Sequence, residues 1–288
     1  MNTNDLKAFV VAAETGSFSV AAEKIFLTQP AISKRIANLE AEMGTLLFDR
    51  IGRKIALTQA GETLLQSSYT ILNDIEDAYR RVNNLSGNVR GPLRMATSHH
   101  IGLHRLPAAL ERFHQSYPDI KLDLHFMDSE EACRTIERGK LELAMVTLPR
   151  NPGALHWQKV WDDPLQLVVA LHHPLAKLRK VTADDLCSHG AILPGSGTYT
   201  REIILQALGP MRDKITIAMS TNYMEVLKTL TTVGLGWSAL PHTLIDDKLK
   251  VVHIEGINIK RLLGIVMHGK RTLSNAGQAM INIIMDKQ

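Results

Sequence analysis

The chain has 288 residues, of which 45% are hydrophobic and 22% charged, and its formal net charge is +4. It can hold two or three units that each bury a core, with the composition of a soluble globular protein. The N-terminus lacks a signal-peptide pattern, and no apolar run reaches the roughly 18 residues that span a membrane, so we expect a cytoplasmic protein without a membrane partner. Cys133 and Cys187 stand without CxxC or Cys/His ligand spacing, which indicates neither a disulfide scaffold nor a structural zinc site.

Three helices are predicted at the start of the chain. Apolar residues recur at helical spacing over about residues 4–15, and Gly16 is a suitable C-terminal cap. Ser17 or Ser19 can cap a second, short helix. Thr28 can cap a third, with Pro30 in its first turn, where the missing N–H costs nothing.

The third helix has two different sides. Its apolar side is predicted to face the core through Ile32, Ile36, Leu39 and Met43. The other side carries small and hydrogen-bonding residues, which suits a helix pressed into the major groove of DNA. A solvated face is the usual interpretation for an isolated helix, but the preceding helix stands at helix-turn-helix spacing. The predicted DNA contacts of this part are Ser17, Thr28, Gln29, Pro30, Ser33, Lys34, Arg35 and Asn38.

A basic hairpin follows. Residues 46–48 and 55–57 predict two short strands joined around Gly52, as in a winged helix-turn-helix. Residues 24–54 hold six basic and three acidic residues, and this local clustering favours nucleic acid. The side chains predicted to reach phosphates or the minor groove from the wing are Arg50, Arg53 and Lys54.

A long helix is predicted from Thr58 to about Ser86. Its apolar and small residues repeat at spacings of three and four, averaging 3.5 residues, which favours pairing with another helix. This seam consists of Gly61, Leu64, Ser68, Ile71, Ile75, Ala78, Val82 and Leu85.

Residues 87–92 read as a linker, because glycine and proline there interrupt any helix. Beyond it, strands and helices alternate, which predicts parallel α/β layers. The predicted strands are 93–96, 120–126, 143–146, 165–170, 191–193 and 215–219, and the predicted helices are about 101–116, 129–138, 199–208, 222–233 and 274–286.

The segments after these strands carry many polar side chains. Ligands of open α/β sheets bind outside the C-terminal ends of the strands, where helix N-termini offer free N–H groups. We therefore predict a site for a small anionic or polar molecule, such as a carboxylate. Simple helix capping is the alternative for each single position. The predicted contacts are Thr97, Ser98, His99, His100, Asp128, Ser129, Thr147, Gly195, Ser196, Gly197, Thr198, Thr221 and Asn222.

No metal, cofactor or catalytic centre is predicted. His100 and His104 have the i, i+4 spacing of metal ligands, but no Cys, Asp or Glu stands near them in the sequence. The run Gly195–Thr198 lacks the third glycine of a nucleotide fingerprint. Motifs of hydrolases, P-loop enzymes and metalloproteases are missing from the sequence, so we do not expect an enzyme.

The first sixty residues resemble the N-terminal domain of the LysR-type transcriptional regulators. The resemblance rests on Leu6, Phe9, Gly16-Ser17-Phe18, Ala21-Ala22, Gln29-Pro30-Ala31-Ile32-Ser33, Ile36, Leu39-Glu40, Gly44, Leu47-Phe48-Asp49-Arg50 and Leu57-Thr58-Gln59-Ala60-Gly61. It extends more loosely over the rest of the chain.

The resemblance implies a winged helix-turn-helix over 1–58, a dimerisation helix over 59–86 and a hinge over 87–92. It implies two α/β subdomains like those of periplasmic solute-binding proteins, comprising 93–161 with 267–288, and 162–266. The chain would cross over near Trp161 and return near Val266, and the segment 97–100 would contribute to effector binding.

The resemblance further implies a homodimer or homotetramer on a pseudo-palindromic promoter site, controlled by a small-molecule effector. RNA polymerase would be a partner if the protein activates transcription. Two alternatives stay open. One is an α/β ligand-binding protein or enzyme with an N-terminal dimerisation module and no affinity for DNA. The other is a redox sensor that uses Cys133 or Cys187, as in peroxide-sensing relatives.

Overall fold

The computed structural model describes residues 1–51 and 54–286, except for the side chains of residues 50, 51 and 54. It divides into two compact units, Met1–Ser86 and Gly87–Gln288. Within the described residues, no helix combines the length and the apolar character needed to cross a membrane.

The N-terminal unit contains three short helices, a hairpin and a long helix. They are α1 (Thr3–Thr15), α2 (Phe18–Lys24), α3 (Gln29–Met43), β1 (Phe48–Ile51), β2 (Lys54–Leu57) and α4 (Gln59–Asn84). Side-chain oxygens of Asn2, Ser17, Thr28 and Thr58 accept backbone N–H groups at the starts of α1, α2, α3 and α4. Capping of this kind stabilises a helix by about 1 kcal/mol, and it explains why these helices begin where the sequence indicates.

The core of this unit forms where α1, α2 and α3 meet the hairpin. The Phe9 and Phe48 rings lie 5.4 Å apart, and Phe18 packs edge-on against Phe48. The predicted inward residues Ile32, Ile36 and Leu39 are buried, but Met43 is 41% exposed, so its assignment to the core was wrong. Met43 stands in the last turn of α3, beyond the layer that α1 covers.

The first strand of the wing begins at Phe48, not at Leu46 as predicted. The backbone N–H of Leu47 donates to Glu40 Oε1 on α3 (2.9 Å), and the Thr58 hydroxyl donates to the Leu46 carbonyl (2.8 Å). Because of these two contacts, residues 46 and 47 lead into β1 but do not pair with β2.

Helix α4 packs against its own domain through the first half of the predicted seam. A Cβ on Gly61 would lie 2.2 Å from the Leu47 carbonyl oxygen, so only glycine permits this close approach. Ser68 is fully buried and donates to the Leu64 carbonyl (2.7 Å). The first half of the seam therefore packs within its own domain, where α4 contacts α1, and the pairing of α4 with a second chain stays a prediction. Val82 and Leu85, in the second half, are 67% and 86% exposed.

The second unit alternates helices and strands, and it contains more strands than predicted. Its elements are β3 (Pro92–Thr97), α5 (His99–His104), α6 (Pro107–Ser116), β4 (Lys121–Phe126), α7 (Ser129–Glu137), β5 (Leu143–Thr147), β6 (Leu155–Ala170), α8 (Ala183–Cys187), β7 (Ala191–Leu193), α9 (Tyr199–Ala207), β8 (Ile217–Ser220), α10 (Met224–Thr232), β9 (Ser238–Pro241), β10 (Leu249–Val251), β11 (Ile259–His268) and α11 (Asn275–Met285). The predicted helix 101–116 is two helices, because Pro107 starts a new one.

The main sheet is mixed instead of parallel. Its order is β10-β6-β11-β5-β3-β4, with β9 also paired to β6, while β7 and β8 form a separate parallel pair. Strand β3 pairs in parallel with β4 and β5, as the alternation predicted. The long strands β6 and β11 run antiparallel to each other. The prediction missed β9, β10 and β11 entirely.

Strands β6 and β11 connect two hydrophobic cores, one in each subdomain. The first core gathers around β3, β5, α6 and α11, and the second around β7, β9 and α9. Along β6 the packing changes cores between Val160 and Leu165, which brackets the predicted crossover. Along β11 it changes between Ile259 and Leu263, a few residues before the predicted return near Val266, and the subdomain bounds stay a prediction. Both boundaries fall inside continuous strands, where no turn residue marks them.

Candidate functional site

The exposed face of α3 carries hydrogen-bonding side chains, and a hydrogen bond within the helix orients two of them. Gln29, Lys34 and Asn38 are exposed. The Gln29 amide donates to Ser33 Oγ (2.9 Å), one turn away. This bond leaves the Gln29 oxygen as an acceptor and the Ser33 hydroxyl as a donor, which is a suitable pair for the edge of a base.

Other predicted DNA contacts have structural partners. Ser17 and Thr28 cap α2 and α3 through backbone N–H groups at 3.4 Å. Arg35 is half-buried, and its Nη1 donates to the Asn4 carbonyl (3.0 Å) at the start of α1. Arg35 therefore joins two helices of the domain, and its contact with DNA stays a prediction.

The turn between α2 and α3 carries a residue that the sequence pattern did not single out. Phe26 has a φ of +56°, a conformation that bulky residues rarely adopt, and its side chain is 95% exposed. It precedes the Thr28 cap by two residues. The predicted wing contact Arg53 and the side chains of Arg50 and Lys54 lie outside the described residues.

A cavity of about 40 Å³ lies between the two subdomains of the second unit. It brings together most of the polar residues predicted from the strand ends, namely Ser98, His99, His100, Asp128, Ser129, Thr147, Thr198 and Asn222. Parallel strands end at one edge of their sheet, so residues that are distant in the chain meet there.

The other predicted contacts lie outside the lining of the cavity. Thr97 is fully buried in β3, and Ser196 and Gly197 are exposed on the surface. The backbone N–H of Gly195 donates to Asn222 Oδ1 (2.8 Å), which orients the Asn222 side chain. The hydroxyl of Thr221 accepts the Tyr223 N–H at the approach to α10. Being near a strand end does not fix the direction of a side chain, so Thr97, Ser196, Gly197 and Thr221 do not line the cavity, and their contact with an effector stays a prediction. Gly195 supports the wall indirectly through Asn222.

Five further residues line the cavity that the sequence did not indicate, Glu130, Pro194, Thr200, Met224 and Arg261. Arg261 is the most informative, since it is 3% exposed although it stands on β11 between Lys260 and Leu262. Because exposed Lys260 stands directly before it, the local sequence contained no signal that Arg261 is the buried one of the two.

Arg261 is the centre of a buried ion cluster. Its Nε donates to Asp163 Oδ2 (2.6 Å) on β6, and its Nη1 donates to Thr200 Oγ1 (3.3 Å) on α9. Arg105 donates to the other Asp163 oxygen (3.2 Å). Burial lowers the pKa of Arg261, and the Asp163 charge opposes this. Its Nη2 is buried without a hydrogen-bond partner among the described residues.

Two carboxylates on the first subdomain reach donors on the second. The Asn222 amide donates to Asp128 Oδ2 (2.6 Å), and the backbone N–H of Tyr199, at the start of α9, donates to Glu130 Oε1. Helix N-termini favour negative charge. Burial raises the pKa of Glu130. These contacts fasten the two subdomains together beside the cavity.

Ser129 and His100 complete the polar wall. The Thr147 backbone N–H donates to Ser129 Oγ (3.1 Å), which leaves the serine hydroxyl proton available as a donor. Burial, together with the nearby charge of Arg261, lowers the pKa of His100 to about 4. The imidazole is therefore neutral at pH 7.

Known protein families match both units of the chain. The family described as "Bacterial regulatory helix-turn-helix protein, lysR family" matches residues 3–62, and "LysR substrate binding domain" matches residues 86–288. The chain belongs to the LysR family of transcriptional regulators. It is accordingly a DNA-binding regulator with a small-molecule effector domain, and the family consists of regulators instead of enzymes. The resemblance noted in the sequence is confirmed.

Curated relatives of this LysR-type regulator align along nearly their whole length. The "HTH-type transcriptional activator CmpR" of Synechocystis sp. is 28% identical over 286 residues, which is 98% of this chain and 94% of the relative. A "Probable RuBisCO transcriptional regulator" of Thalassiosira pseudonana is 32% identical over 274 residues, covering 91% of this chain and 89% of the relative.

Solved structures share the fold of this regulator. A full-length OxyR variant from Pseudomonas aeruginosa matches with a TM-score of 0.74 at 21% identity, covering 99% of this chain and 94% of that chain. Full-length CbnR in complex with its target DNA matches with a TM-score of 0.63 at 21% identity, covering both chains completely. At this identity the likeness concerns the fold alone.

The environment of Cys133 disfavours peroxide sensing at this residue. Cys133 is buried in α7, and burial raises the pKa of its thiol to about 11. The thiolate is the reactive form of cysteine, and at pH 7 this thiol remains protonated. Cys133 therefore behaves as a small core residue. Of the two cysteines considered for a redox sensor, only Cys187 is left as a candidate.

Proposed function

We propose that this regulator binds a small polar molecule carrying an acidic group in the cavity between its subdomains. The observation that carries the proposal is Arg261 Nη2, a charged donor that is buried at the cavity wall and has no hydrogen-bond partner among the described residues. A buried guanidinium N–H without an acceptor is costly, and a carboxylate, phosphate or sulfate oxygen would satisfy it. Hydroxyls of Ser98, Ser129 and Thr198 surround the same space.

We infer that the two subdomains separate when an effector enters, because the cavity between them is small in this structure. A volume of 40 Å³ holds only a few water molecules, since one water needs roughly 10–15 Å³ of such space. The contacts of Asp128 with Asn222 and of Glu130 with Tyr199 oppose this separation. An acidic effector would compete with Glu130 for the N-terminus of α9, and it would favour one of two conformations of the effector domain.

The effector class is tested with matched pairs of small acids and their amides. We expect the acids to raise the melting temperature of the full chain and the amides to leave it unchanged, because only the acids pair with Arg261. Glu130→Gln keeps an acceptor for the Tyr199 N–H but removes a negative charge from the wall. We expect it to bind the acids about tenfold more tightly, as removal of one like charge near an anion does.

The control for this experiment is Glu202→Gln, which removes an exposed carboxylate in the first turn of the same helix, α9. Its affinity for acids should equal that of the parent. Amides that stabilise the protein as well as acids do, or weaker binding of acids by Glu130→Gln, would contradict an acidic effector.

We also propose that Gln29, Pro30, Ser33, Lys34 and Asn38 on α3 contact the major groove of a pseudo-palindromic promoter site. The Gln29–Ser33 pair supports this proposal, because its free donor and acceptor face outward on an open helix. A homodimer or homotetramer in the cytoplasm would place two such helices on the DNA. RNA polymerase would be a further partner where the regulator activates.

Two substitutions on α3 test the groove assignment. Ser33→Ala should weaken binding to the specific site by about 1–3 kcal/mol and leave non-specific binding unchanged. Lys34→Ala should weaken binding to all sequences and reduce the salt dependence by about one phosphate contact. Fluorescence anisotropy at several salt concentrations measures both effects on DNA from upstream of the gene itself or of a divergent neighbour.

Lys7→Ala is the matched control, since Lys7 is an exposed lysine on α1. It should bind the specific site like the parent. If Ser33→Ala and Lys34→Ala both behave in the same way as this control, α3 does not read the groove as proposed.

A further inference from the structure

Two histidines of α5 meet one glutamate of α10 next to the effector cavity. His104 Nε2 lies 2.9 Å from Glu225 Oε1, and His100 Nδ1 lies 3.7 Å from the same oxygen. The two imidazole rings are 4.9 Å apart, and one ligand atom from each of the three side chains lies within 4.8 Å of the others. Among the described residues, this is the one group of three or more such side chains close enough to hold a metal ion.

The fold brings these side chains together from distant parts of the chain. His100 and His104 stand four residues apart on α5, so their rings project from one face of the helix. Glu225 stands in the first turn of α10, which belongs to the other subdomain. From the sequence we did not expect a metal site here, because no carboxylate stands close to the two histidines along the chain. Glu225, 121 residues after His104, removes that objection.

Hydrogen bonding does not account for the buried imidazole of His100. The His100 side chain is 3% exposed, and its Nδ1 has no hydrogen-bond partner among the described residues. Its other ring nitrogen, Nε2, makes a long contact of 3.5 Å with the Thr243 hydroxyl. A buried polar atom without a partner is unfavourable, and coordination of a metal ion would use the free lone pair.

We propose that His100, His104 and Glu225 form a binding site for a divalent transition-metal ion of the Zn²⁺ type. Imidazole nitrogens and carboxylate oxygens bind such ions at about 2.0–2.2 Å. Tetrahedral ligands at that distance lie roughly 3.3–3.5 Å from one another. The two nitrogen–oxygen separations, 2.9 and 3.7 Å, bracket this value, and the two ring nitrogens lie within 4.8 Å of each other. Two nitrogen ligands disfavour Mg²⁺ and Ca²⁺, which prefer oxygen.

An ion at this site would connect the two subdomains. His104 and Glu225 are about one-third exposed, so an ion can reach them from solvent. Arg261 is the nearby positive charge, and Asp163 is paired with it and offsets it. Three protein ligands leave a fourth position for water or for an acidic group. Since His100 also lines the effector cavity, the ion would act on the same wall as the effector, as a second input.

The experiment uses the full-length chain without an affinity tag, stripped of metals with a chelator. ZnCl₂, CoCl₂ and MgCl₂ are titrated separately, without DNA or effector, by calorimetry and by thermal shift. We expect one Zn²⁺ per chain, and a rise in melting temperature of about 5 °C when free Zn²⁺ exceeds its dissociation constant a hundredfold. MgCl₂ should have no effect, and Co²⁺ should give a visible absorption band characteristic of tetrahedral coordination.

Two conservative variants locate the ion. His104→Gln and Glu225→Gln keep the possibility of a hydrogen bond between α5 and α10 but remove a strong ligand, so we expect both to fold and to bind Zn²⁺ at least about tenfold more weakly. His114→Gln and Glu202→Gln are the matched controls, because both residues are exposed and stand elsewhere in the same unit. They should bind Zn²⁺ like the parent.

Three results would overturn the proposal. One is a parent protein that takes up no Zn²⁺. Another is unchanged affinity in both His104→Gln and Glu225→Gln. The third is loss of Zn²⁺ binding in His189→Gln instead, since the rings of His173 and His189 lie 4.8 Å apart and offer a competing pair. None of these results bears on the acidic effector or the DNA contacts, because the titrations contain neither.

Discussion

Replacement of Arg261 by methionine is expected to lower the free energy of unfolding of the effector domain by about 3–5 kcal/mol, the usual cost of breaking a buried ion pair. Asp163 is 1% exposed, and Arg261 supplies its shortest hydrogen bond. Without Arg261, Arg105 at 3.2 Å is the remaining ion-pair partner of the Asp163 carboxylate among the described residues. Methionine is similar in length to arginine and preserves most of the packing. The loss of stability therefore measures the effect of leaving the Asp163 charge without Arg261.

Urea unfolding followed by tryptophan fluorescence measures this effect in the full chain. All three tryptophans, Trp157, Trp161 and Trp237, lie in the second unit, so their signal reports that unit and not the DNA-binding domain. We expect the midpoint to fall while the slope stays unchanged, as for a loss of stability without a change in the surface exposed on unfolding.

A double substitution separates charge from packing. Asp163→Asn combined with Arg261→Met removes both charges, and we expect it to cost less than Arg261→Met alone, because no isolated charge remains buried. The surface control is Arg212→Met, whose ion pair with Asp213 is exposed and should contribute less than about 1 kcal/mol. A cost for Arg261→Met as small as that of this control would show that Asp163 is not held by Arg261.

The DNA-binding half of the fold could be predicted because its signals are local. Gly16, Thr28 and Pro30 mark helix ends within a few residues of the atoms they cap, and the apolar spacing of α3 fixes its inner side. The exception was the contact between Arg35 and α1, which no local signal indicates. The spacing of Arg35 placed it beside the groove face, but its guanidinium bonds the carbonyl of Asn4, 31 residues away. A helical spacing gives the direction of a side chain on its own helix and not its partner.

The lining of the cavity was predicted in outline, but Glu130 and Arg261 were missed. Strand ends are visible in a sequence, so Ser98, Asp128 and Asn222 were assigned to the wall. Arg261 comes from β11, whose antiparallel return through the sheet leaves no alternation of strand and helix to detect. Glu225 likewise reaches His104 only after the second subdomain has folded against the first. Local spacing in a sequence cannot predict such contacts, because the charged residues are far apart along the chain and meet only in the folded domain.

Substitutions at the exposed C-terminal end of α4 are expected to have the second large effect, a loss of affinity for DNA. Val82 and Leu85 continue the apolar seam, but their own domain leaves them 67% and 86% exposed. Two such side chains on one edge of a helix gain free energy when a second copy covers them. Val82→Asp combined with Leu85→Asp should therefore prevent pairing. We expect affinity for the full promoter site to fall about 10²–10⁴-fold, because the two half-sites are no longer bound by linked domains.

Sedimentation velocity and anisotropy on full and half-sites decide whether α4 pairs two chains. The double variant should sediment as a monomer and bind a single half-site like the parent, since α3 is untouched. Asn83→Asp places a charge in the same turn but off the seam, and it should leave both the assembly and the affinity unchanged. A double variant that remains a dimer and keeps its affinity for the full site would require the subunits to meet elsewhere. The exposed end of α4 would then be a free surface, and the avidity on DNA would have to come from the effector domains.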